Sequence, residues 1–240
     1  GKKFISNIHP AQTLSLLRSN KVRKAYQKRI TSLENSTSIF ILYLVLKKNT
    51  VPYFNCNYYH TRIDDVWEAT KPLEDWPSAY AIFTGVSEEH QKFADTMTVM
   101  AYMDISEMEQ WKNSFNIVSR QAERGEDYES FKIKKAEILL DLIEDKFPNI
   151  RDHIECYYTS TPLTYRDYIG TSDGSLYGIK KDFRNPIRSF ISPRTKVPNL
   201  FLTGQNLNLH GVLGVTIASI VTCGEILGHD YLMEKILDEV

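Results

Sequence analysis

The sequence predicts an α+β fold in which a mixed β-sheet is flanked by helices. Three observations predict it: an unbroken apolar run typical of a buried strand, several shorter runs rich in β-branched and aromatic residues, and a long stretch with apolar residues at helical spacing. With 240 residues, the chain is long enough to bury a substantial core.

The strands are predicted from residue type. The run SIFILYLVL at residues 38–46 has no polar alternation, which is typical of a strand covered on both faces. Shorter runs of the same kind predict further strands at residues 4–8, 51–60, 79–84, 97–103, 154–159 and 199–203.

The helices are predicted from caps and periodicity. Ser106 precedes Glu109 by three residues, a capping-box pattern that predicts a short helix ending by Ser114. Residues 128–147 are predicted to form a long helix ended by Pro148. Its apolar stripe consists of Ala136, Leu139, Leu140, Ile143 and Phe147. Helices are also predicted to begin at His9-Pro10 and to cover residues 21–32 and 215–227, whereas residues 161–198 are loop-rich.

Composition excludes several classes of function. The formal net charge is −1, which gives no electrostatic basis for nucleic-acid binding. The chain has 3 cysteines without CxxC or metal-ligand spacing, so neither a metal site nor a disulfide framework is expected. No apolar run reaches the roughly 20 residues of a membrane span. A cytoplasmic protein is therefore predicted.

Residues 199–227 are predicted to form a strand, a glycine-marked loop at residues 204–214 and an almost wholly apolar helix. A helix begins with unpaired N–H groups and a positive dipole end, which stabilise a phosphate or a reduced flavin. From spacing alone, a buried helix with a glycine-rich entrance and no ligand is the simpler interpretation, because isolated glycine loops are common. Because the helix lacks a polar face, it is predicted to be buried in a larger body.

The residue sequence of this segment is more specific than the spacing of its glycines. From Thr203, TGQNLNLHGVLGVTIASIVTCGEIL resembles the carboxy-terminal FAD segment of the retinol saturase and carotenoid desaturase/isomerase family, within the amine-oxidase-like flavoproteins. STPLT at residues 160–164 and GSLYG at residues 174–178 resemble the same family. ISNIHP at residues 5–10 resembles the close of its first flavin-associated segment.

The resemblance implies two structural parts. Residues 11–198 would form a substrate domain, and residues 1–10 and 199–240 would complete an FAD-binding, Rossmann-like domain. No two glycines are separated by one residue, so the GxGxxG fingerprint that grips the ADP half is absent. The resemblance places that fingerprint in a preceding portion of a longer enzyme. The chain alone is expected to be inactive and to bind FAD weakly or not at all.

The resemblance also implies the site. The implied flavin contacts are Gly204, Gln205, Asn206, Gly211, Val212, Leu213, Gly214 and Val215. Gly204 would let the loop run close to the pyrophosphate and the ribityl chain, and Gln205 and Asn206 would contact the ribityl chain. Several relatives carry an acidic residue at the position of Asn206, so the implied contact lacks a carboxylate here. The amides of residues 213–215 would face the flavin O2. His210 is the predicted catalytic proton donor, or else a structural loop histidine, and Tyr165 and Tyr177 are predicted substrate contacts.

The implied activity is flavin-mediated hydrogen transfer on an isoprenoid polyene: saturation of all-trans-retinol, carotenoid desaturation or carotenoid isomerisation. FAD is the implied cofactor, NAD(P)H a candidate electron donor, and an apolar polyene the partner. The basic residues 21–29 are either a peripheral membrane contact or a solvated helix face. The alternative function is a stand-alone module that binds an apolar ligand without redox activity. The sequence leaves the oligomeric state open.

Overall fold

A computed structural model describes residues 1–71 and 74–239. They divide into two compact units, the first comprising Gly1–Ser36, Ile169–Thr171 and Ser175–Val240, and the second Thr37–Tyr168 and Ser172–Gly174. The predicted assignment of residues 11–198 to substrate and of residues 1–10 and 199–240 to flavin stays a prediction.

The first unit contains a two-stranded parallel sheet made from its two ends. Strand β1 (Phe4–Ser6) pairs with β9 (Leu200–Leu202), Phe4 lying opposite Leu200. The helices with elements in this unit are α1 (Pro10–Leu16), α2 (Lys24–Thr31), α5 (Pro186–Ser189), α6 (Gly211–Leu227) and α7 (His229–Asp238). A small core links α1, α2, β9 and neighbouring loops: Leu14, Val22, Ile30, Ile179, Ile191, Leu202 and Leu207.

The predicted start of α1 is confirmed. Pro10 is the first helical residue, where its missing N–H costs nothing. The Nδ1 atom of His9 accepts a hydrogen bond from the Ala11 amide at 3.2 Å, so His9 acts as the cap.

The second unit is built on a five-stranded sheet with the order β3-β4-β5-β2-β8. Every neighbouring pair in it is antiparallel. The strands are β2 (Ser38–Leu46), β3 (Tyr58–Thr61), β4 (Ala79–Val86), β5 (Ala94–Met103) and β8 (Ile154–Ser160). The α+β class is confirmed, but this sheet is antiparallel rather than mixed in the described residues, and parallel pairing occurs between β1 and β9.

One face of the sheet packs against helix α3 (Glu126–Glu144). The predicted stripe of α3 shares one core cluster with β2, β4 and β5, and its residues Ala136, Leu139, Leu140 and Ile143 are buried. Burying a Leu or Ile side chain stabilises the fold by about 1.5–3 kcal/mol. The helix ends before Phe147, which is half-buried against the same core.

Two local predictions are wrong. The Ser106 capping box does not form, because the Asp104 carboxylate lies two residues earlier and accepts from the Ser106 amide at 2.8 Å. The helix it caps, Ile105–Trp111, is a 3₁₀ helix. Residues 51–60 also form no continuous strand, since Pro52 makes only an isolated bridge before β3 begins at Tyr58.

The remaining elements are short. A hairpin of β6 (Asn116–Ile117) and β7 (Arg120–Gln121) precedes α3, and α4 (Pro162–Ile169) follows β8 in the segment predicted to be loop-rich. Across the described ranges, no helix has the length and apolar character needed to span a bilayer.

Candidate functional site

The loop of residues 204–210 joins β9 to α6 at the end of the two-stranded sheet. Gly204 has φ +92° and Gly211 has φ +77°, a backbone region that favours glycine. The first residue of helix α6 is Gly211, so the helix begins four residues before the predicted start. Val212, Leu213 and Gly214 therefore lie in the first helical turn and not in a loop.

The early start of α6 shifts which amides are open to a ligand. A helix leaves its first N–H groups without intrahelical acceptors. By helix geometry these are the amides up to Leu213, whereas Gly214 and Val215, also predicted to face a flavin, enter the helical hydrogen-bond ladder. His210 is the N-cap residue, and its side chain makes no capping hydrogen bond. The first turn is thus not closed by its own cap.

The end of β1 lies beside the start of the loop. The Thr203 amide donates to the Ser6 oxygen at 2.9 Å, which extends the parallel ladder by one bond. A Cβ at Gly204 would stand 3.4 Å from the Asn7 oxygen, tighter than most such contacts. The residues that follow β1 and β9 therefore meet at the carboxyl edge of this sheet.

Asn206 is directed into the fold. It is 4% exposed, and its Oδ1 atom accepts a hydrogen bond from the Ile179 amide at 3.0 Å. Gly178 has φ +70°, and a Cβ there would overlap the Asn206 carboxamide. Gln205 Nε2 donates to the Leu176 oxygen at 3.3 Å. Both amides hold the loop against residues 176–179, and their predicted contact with a ribityl chain stays a prediction.

Lys181 is a positioning residue that sequence reasoning missed. Its Nζ atom donates to the main-chain oxygens of Ser189 (3.1 Å), Asn206 (2.7 Å) and Leu207 (3.0 Å). An ammonium group has three protons, which matches these three acceptors. Burial lowers the pKa of Lys181 to about 8. The sequence gives no signal that separates it from Lys180, whose ammonium group is exposed.

His210 and Tyr177 lie side by side. Their ring centroids are 4.2 Å apart with 60° between the ring planes, and both residues are exposed. The Tyr177 amide donates to Ser36 Oγ at 3.1 Å, which fixes the backbone on which the phenol ring is carried. The structure therefore brings together the predicted proton donor and one predicted substrate contact. The other, Tyr165, lies on α4 and is half-buried.

Helix α6 is less buried than predicted. Its buried residues are Gly214, Ala218, Thr222 and Gly224, whereas Val212 is 85% and Leu213 72% exposed. The small residues allow close packing: Thr222 Oγ1 donates to the Leu202 oxygen at 3.0 Å, and a Cβ at Gly214 would lie 2.5 Å from the Leu209 oxygen. Val212, Leu213, Ile217 and Leu227 are the exposed large apolar side chains of α6 in the described chain.

No group of three His, Cys, Asp or Glu among the described residues has a geometry that would hold a metal ion. Cys56, Cys156 and Cys223 are free thiols. In the basic segment, Arg29 donates to the oxygens of Arg188 and Phe190 through its guanidinium group. The contact of this segment with a membrane stays a prediction.

The chain is similar in sequence to curated proteins named all-trans-retinol 13,14-reductase. The Danio rerio protein is 30% identical over 135 residues, which cover 55% of this chain and 21% of that protein. The Rattus norvegicus protein is 26% identical over 219 residues, which cover 84% of this chain and 35% of that protein. A second Danio rerio protein, named inactive all-trans-retinol 13,14-reductase, is 32% identical over 108 residues, which cover 44% of this chain and 17% of that protein.

No protein-family profile matches the chain. The aligned residues span between 17% and 35% of the length of these three relatives. The chain therefore has homologues named all-trans-retinol 13,14-reductase, at 26–30% identity and over as much as 84% of its own length.

Proposed function

We propose that this chain is the carboxy-terminal part of an FAD-dependent oxidoreductase that saturates a double bond of retinol. The observation that carries the proposal is the similarity to proteins named all-trans-retinol 13,14-reductase, which for the Rattus norvegicus protein covers 84% of the chain. Carotenoid desaturation and isomerisation are weaker candidates, because the names of these relatives refer to retinol.

The geometry at the carboxyl edge of the β1–β9 sheet supports the proposal that FAD is the cofactor. In open α/β sheets, ligands bind outside the carboxyl ends of parallel strands, where helix N-termini point at them. Nothing lies within 4 Å of the place where Gly211 would carry a Cβ, so a ligand can approach the backbone there. The uncapped first turn of α6 supplies amides of Val212 and Leu213 for an electron-rich edge of the flavin. Residues 1–10 and 199–240 would then complete the flavin domain.

FAD supplies hydride transfer when it is bound, and the residues of this chain do the rest. Amide groups at the start of α6 stabilise negative charge, since the dipole end of the helix is positive there. Lys181 holds the loop that leads into this turn through the oxygens of Asn206 and Leu207. His210, supported by the ring of Tyr177, delivers the proton that completes saturation of the double bond.

NAD(P)H is the electron donor that we propose for the whole enzyme. An anionic membrane is the proposed source of the lipid substrate, and the basic residues 21–29 are the proposed contact with it. Such a contact draws on charge and does not require a spanning helix.

A second candidate function is a binding protein for an apolar ligand that performs no redox step. Two observations favour it: the chain has no GxGxxG sequence, and one relative is named inactive. It differs from the first candidate in requiring no flavin.

Titration with FAD separates the two candidates. FAD is added to this chain and to the natural protein at its full length, while flavin fluorescence and the visible spectrum are followed. We expect only the longer protein to hold FAD stoichiometrically and to saturate all-trans-retinol when a reductant is supplied. If neither protein holds FAD, the flavoenzyme proposal is wrong and the binding function remains.

A further inference from the structure

A row of side chains crosses the sheet of the second unit on the face opposite α3. In the strand register Tyr43 lies between Tyr158 and Thr98, and Thr98 is paired in turn with Phe83. Successive residues of a strand point to opposite faces. Leu42 and Leu44 belong to the core cluster shared with α3, so Tyr43 points away from that helix. We call Tyr158, Tyr43, Thr98 and Phe83 the Tyr43 row.

The Tyr43 row is accessible in the second unit. Tyr158 is 63% exposed and Tyr43 is 38% exposed, although Tyr43 lies on β2, an inner strand. Thr98 and Phe83 are half-buried. The ring of Tyr59 stands edge-on to Phe83, with 6.0 Å between centroids, and extends the aromatic surface onto β3. A contiguous exposed patch of large aromatic side chains marks a binding surface more often than chance.

The two ends of the row differ in chemistry. At the β8 end, Tyr43 and Ser160 bring their hydroxyl oxygens within 3.4 Å of each other, whereas the Tyr158 hydroxyl accepts from the Cys156 thiol, whose sulfur lies 4.0 Å away. Towards the β4 end the surface is made by Phe83 and by Met100. Met100 lies two residues after Thr98 on β5 and therefore on the same face. The row contains no charged side chain. Its polar end therefore suits a neutral hydroxyl group better than a carboxylate.

The length of the row also restricts the ligand. Adjacent strands are about 4.8 Å apart, so the three steps from β8 to β4 span about 14 Å. A row of this length favours an elongated ligand over a compact one.

We infer that the Tyr43 row binds an elongated apolar alcohol of retinoid type. Tyr43 exchanges hydrogen bonds with its hydroxyl group beside Ser160, and its chain lies across the methyl group of Thr98 towards Met100 and Phe83. Phenol groups both donate and accept, as an alcohol does. The inference rests on the proposed function, which it deepens by fixing which end of the substrate is held by which strand.

The test uses the natural full-length protein with its cofactor, and two probes. One probe is all-trans-retinol; the other is the hydrocarbon of the same polyene that ends in a methyl group. Dissociation constants are measured for the wild type and for Tyr43→Phe, Tyr158→Phe and Tyr157→Phe. Tyr157 is the matched control, because it lies on the same strand but packs against the core on the other face. Phe83→Ala tests the apolar end.

We expect Tyr43→Phe to weaken retinol binding about three- to tenfold, the effect of one lost hydrogen bond. It should not change binding of the hydrocarbon, and Tyr157→Phe and Tyr158→Phe, whose hydroxyl groups lie away from the Tyr43–Ser160 pair, should change neither constant. Phe83→Ala should weaken both ligands.

Retinol bound with wild-type affinity by Tyr43→Phe overturns this inference and leaves the proposed function standing. Another segment of the protein that covers the row would show itself as a loss of stability in these variants with unchanged retinol affinity, and it would overturn the inference as well. A wild-type protein that binds neither probe and holds no FAD overturns both the inference and the proposed function.

Discussion

The Nζ atom of Lys181 lies 2.7 Å from the main-chain oxygen of Asn206, to which it donates a hydrogen bond. With the bonds to Ser189 and Leu207, this contact joins three separate stretches of the first unit through a single side chain. The conformation of the loop before α6 therefore depends on a residue that lies more than twenty positions upstream.

Lys181→Met should lower the free energy of unfolding by about 1–3 kcal/mol, because it leaves partly buried carbonyl groups without their donor. Lys180→Met is the matched control: its ion pair with Glu34 is exposed, so we expect a change within about 0.5 kcal/mol. Urea denaturation of both variants checks this. Equal losses would mean that the three hydrogen bonds contribute nothing beyond surface charge.

The stability conferred by Lys181 should also depend on pH. Burial lowers the pKa of Lys181 to about 8, from an ordinary value of 10.5. Below pH 8 both the folded and the unfolded chain bind the proton, and the cost of burying the charge is fully present. Between pH 8 and pH 10.5 the unfolded chain binds more protons at this lysine than the folded chain does, so the free energy of unfolding rises with pH. Urea titrations at several pH values should show that the free energy of unfolding of the wild type increases relative to that of Lys181→Met over this pH range. A difference that stays constant with pH would contradict the lowered pKa.

Gly178→Ala should destabilise the first unit through both strain and overlap. The residue has φ +70°, and a Cβ there would overlap the Asn206 carboxamide. Gly170 has φ +81° with nothing within 4 Å, so Gly170→Ala isolates the cost of the backbone conformation. We expect a loss of about 1 kcal/mol for Gly170→Ala and of about 2–4 kcal/mol for Gly178→Ala. Thermal or urea unfolding measures both, and equal losses would show that Asn206 moves aside freely.

His210→Asn should lower the kcat for retinol saturation by about 100-fold in the full-length protein, if His210 delivers the proton. The visible spectrum of the bound flavin serves as the control for intact cofactor binding. Tyr177→Phe keeps the ring against which His210 packs at 4.2 Å, so it should leave kcat within a few fold. An unchanged kcat in His210→Asn would identify the histidine as a structural residue of the loop.

Local sequence determined some elements well. The bounds of β2 match the predicted run, since an unbroken series of β-branched, aromatic and leucine residues has few alternatives to a buried strand. The start of α1 followed from Pro10 in the same way. The start of α6 did not, because a glycine marks a loop and a helix start equally well until its φ angle is known.

The contacts that the sequence could not predict are those that depend on distant segments. Lys181 differs from Lys180 only in the carbonyl groups that the fold places around it. The Tyr43 row depends on the register of β2 with β5 and β8, which hydrophobic patterning in one strand does not specify. The cap from Asp104 was missed because a stronger-looking pattern began two residues later.

The parallel pairing of β1 with β9 has a consequence for the order of folding. Phe4 meets Leu200, so the first unit cannot close this sheet until Leu200 has been synthesised. The second unit is almost continuous, from Thr37 to Tyr168, and its strands pair over shorter separations. Non-local pairing is slow because the entropy of loop closure is lost before the stabilising contacts form. The antiparallel sheet is thus expected to form during synthesis, while β1 stays unpaired until β9 has been made.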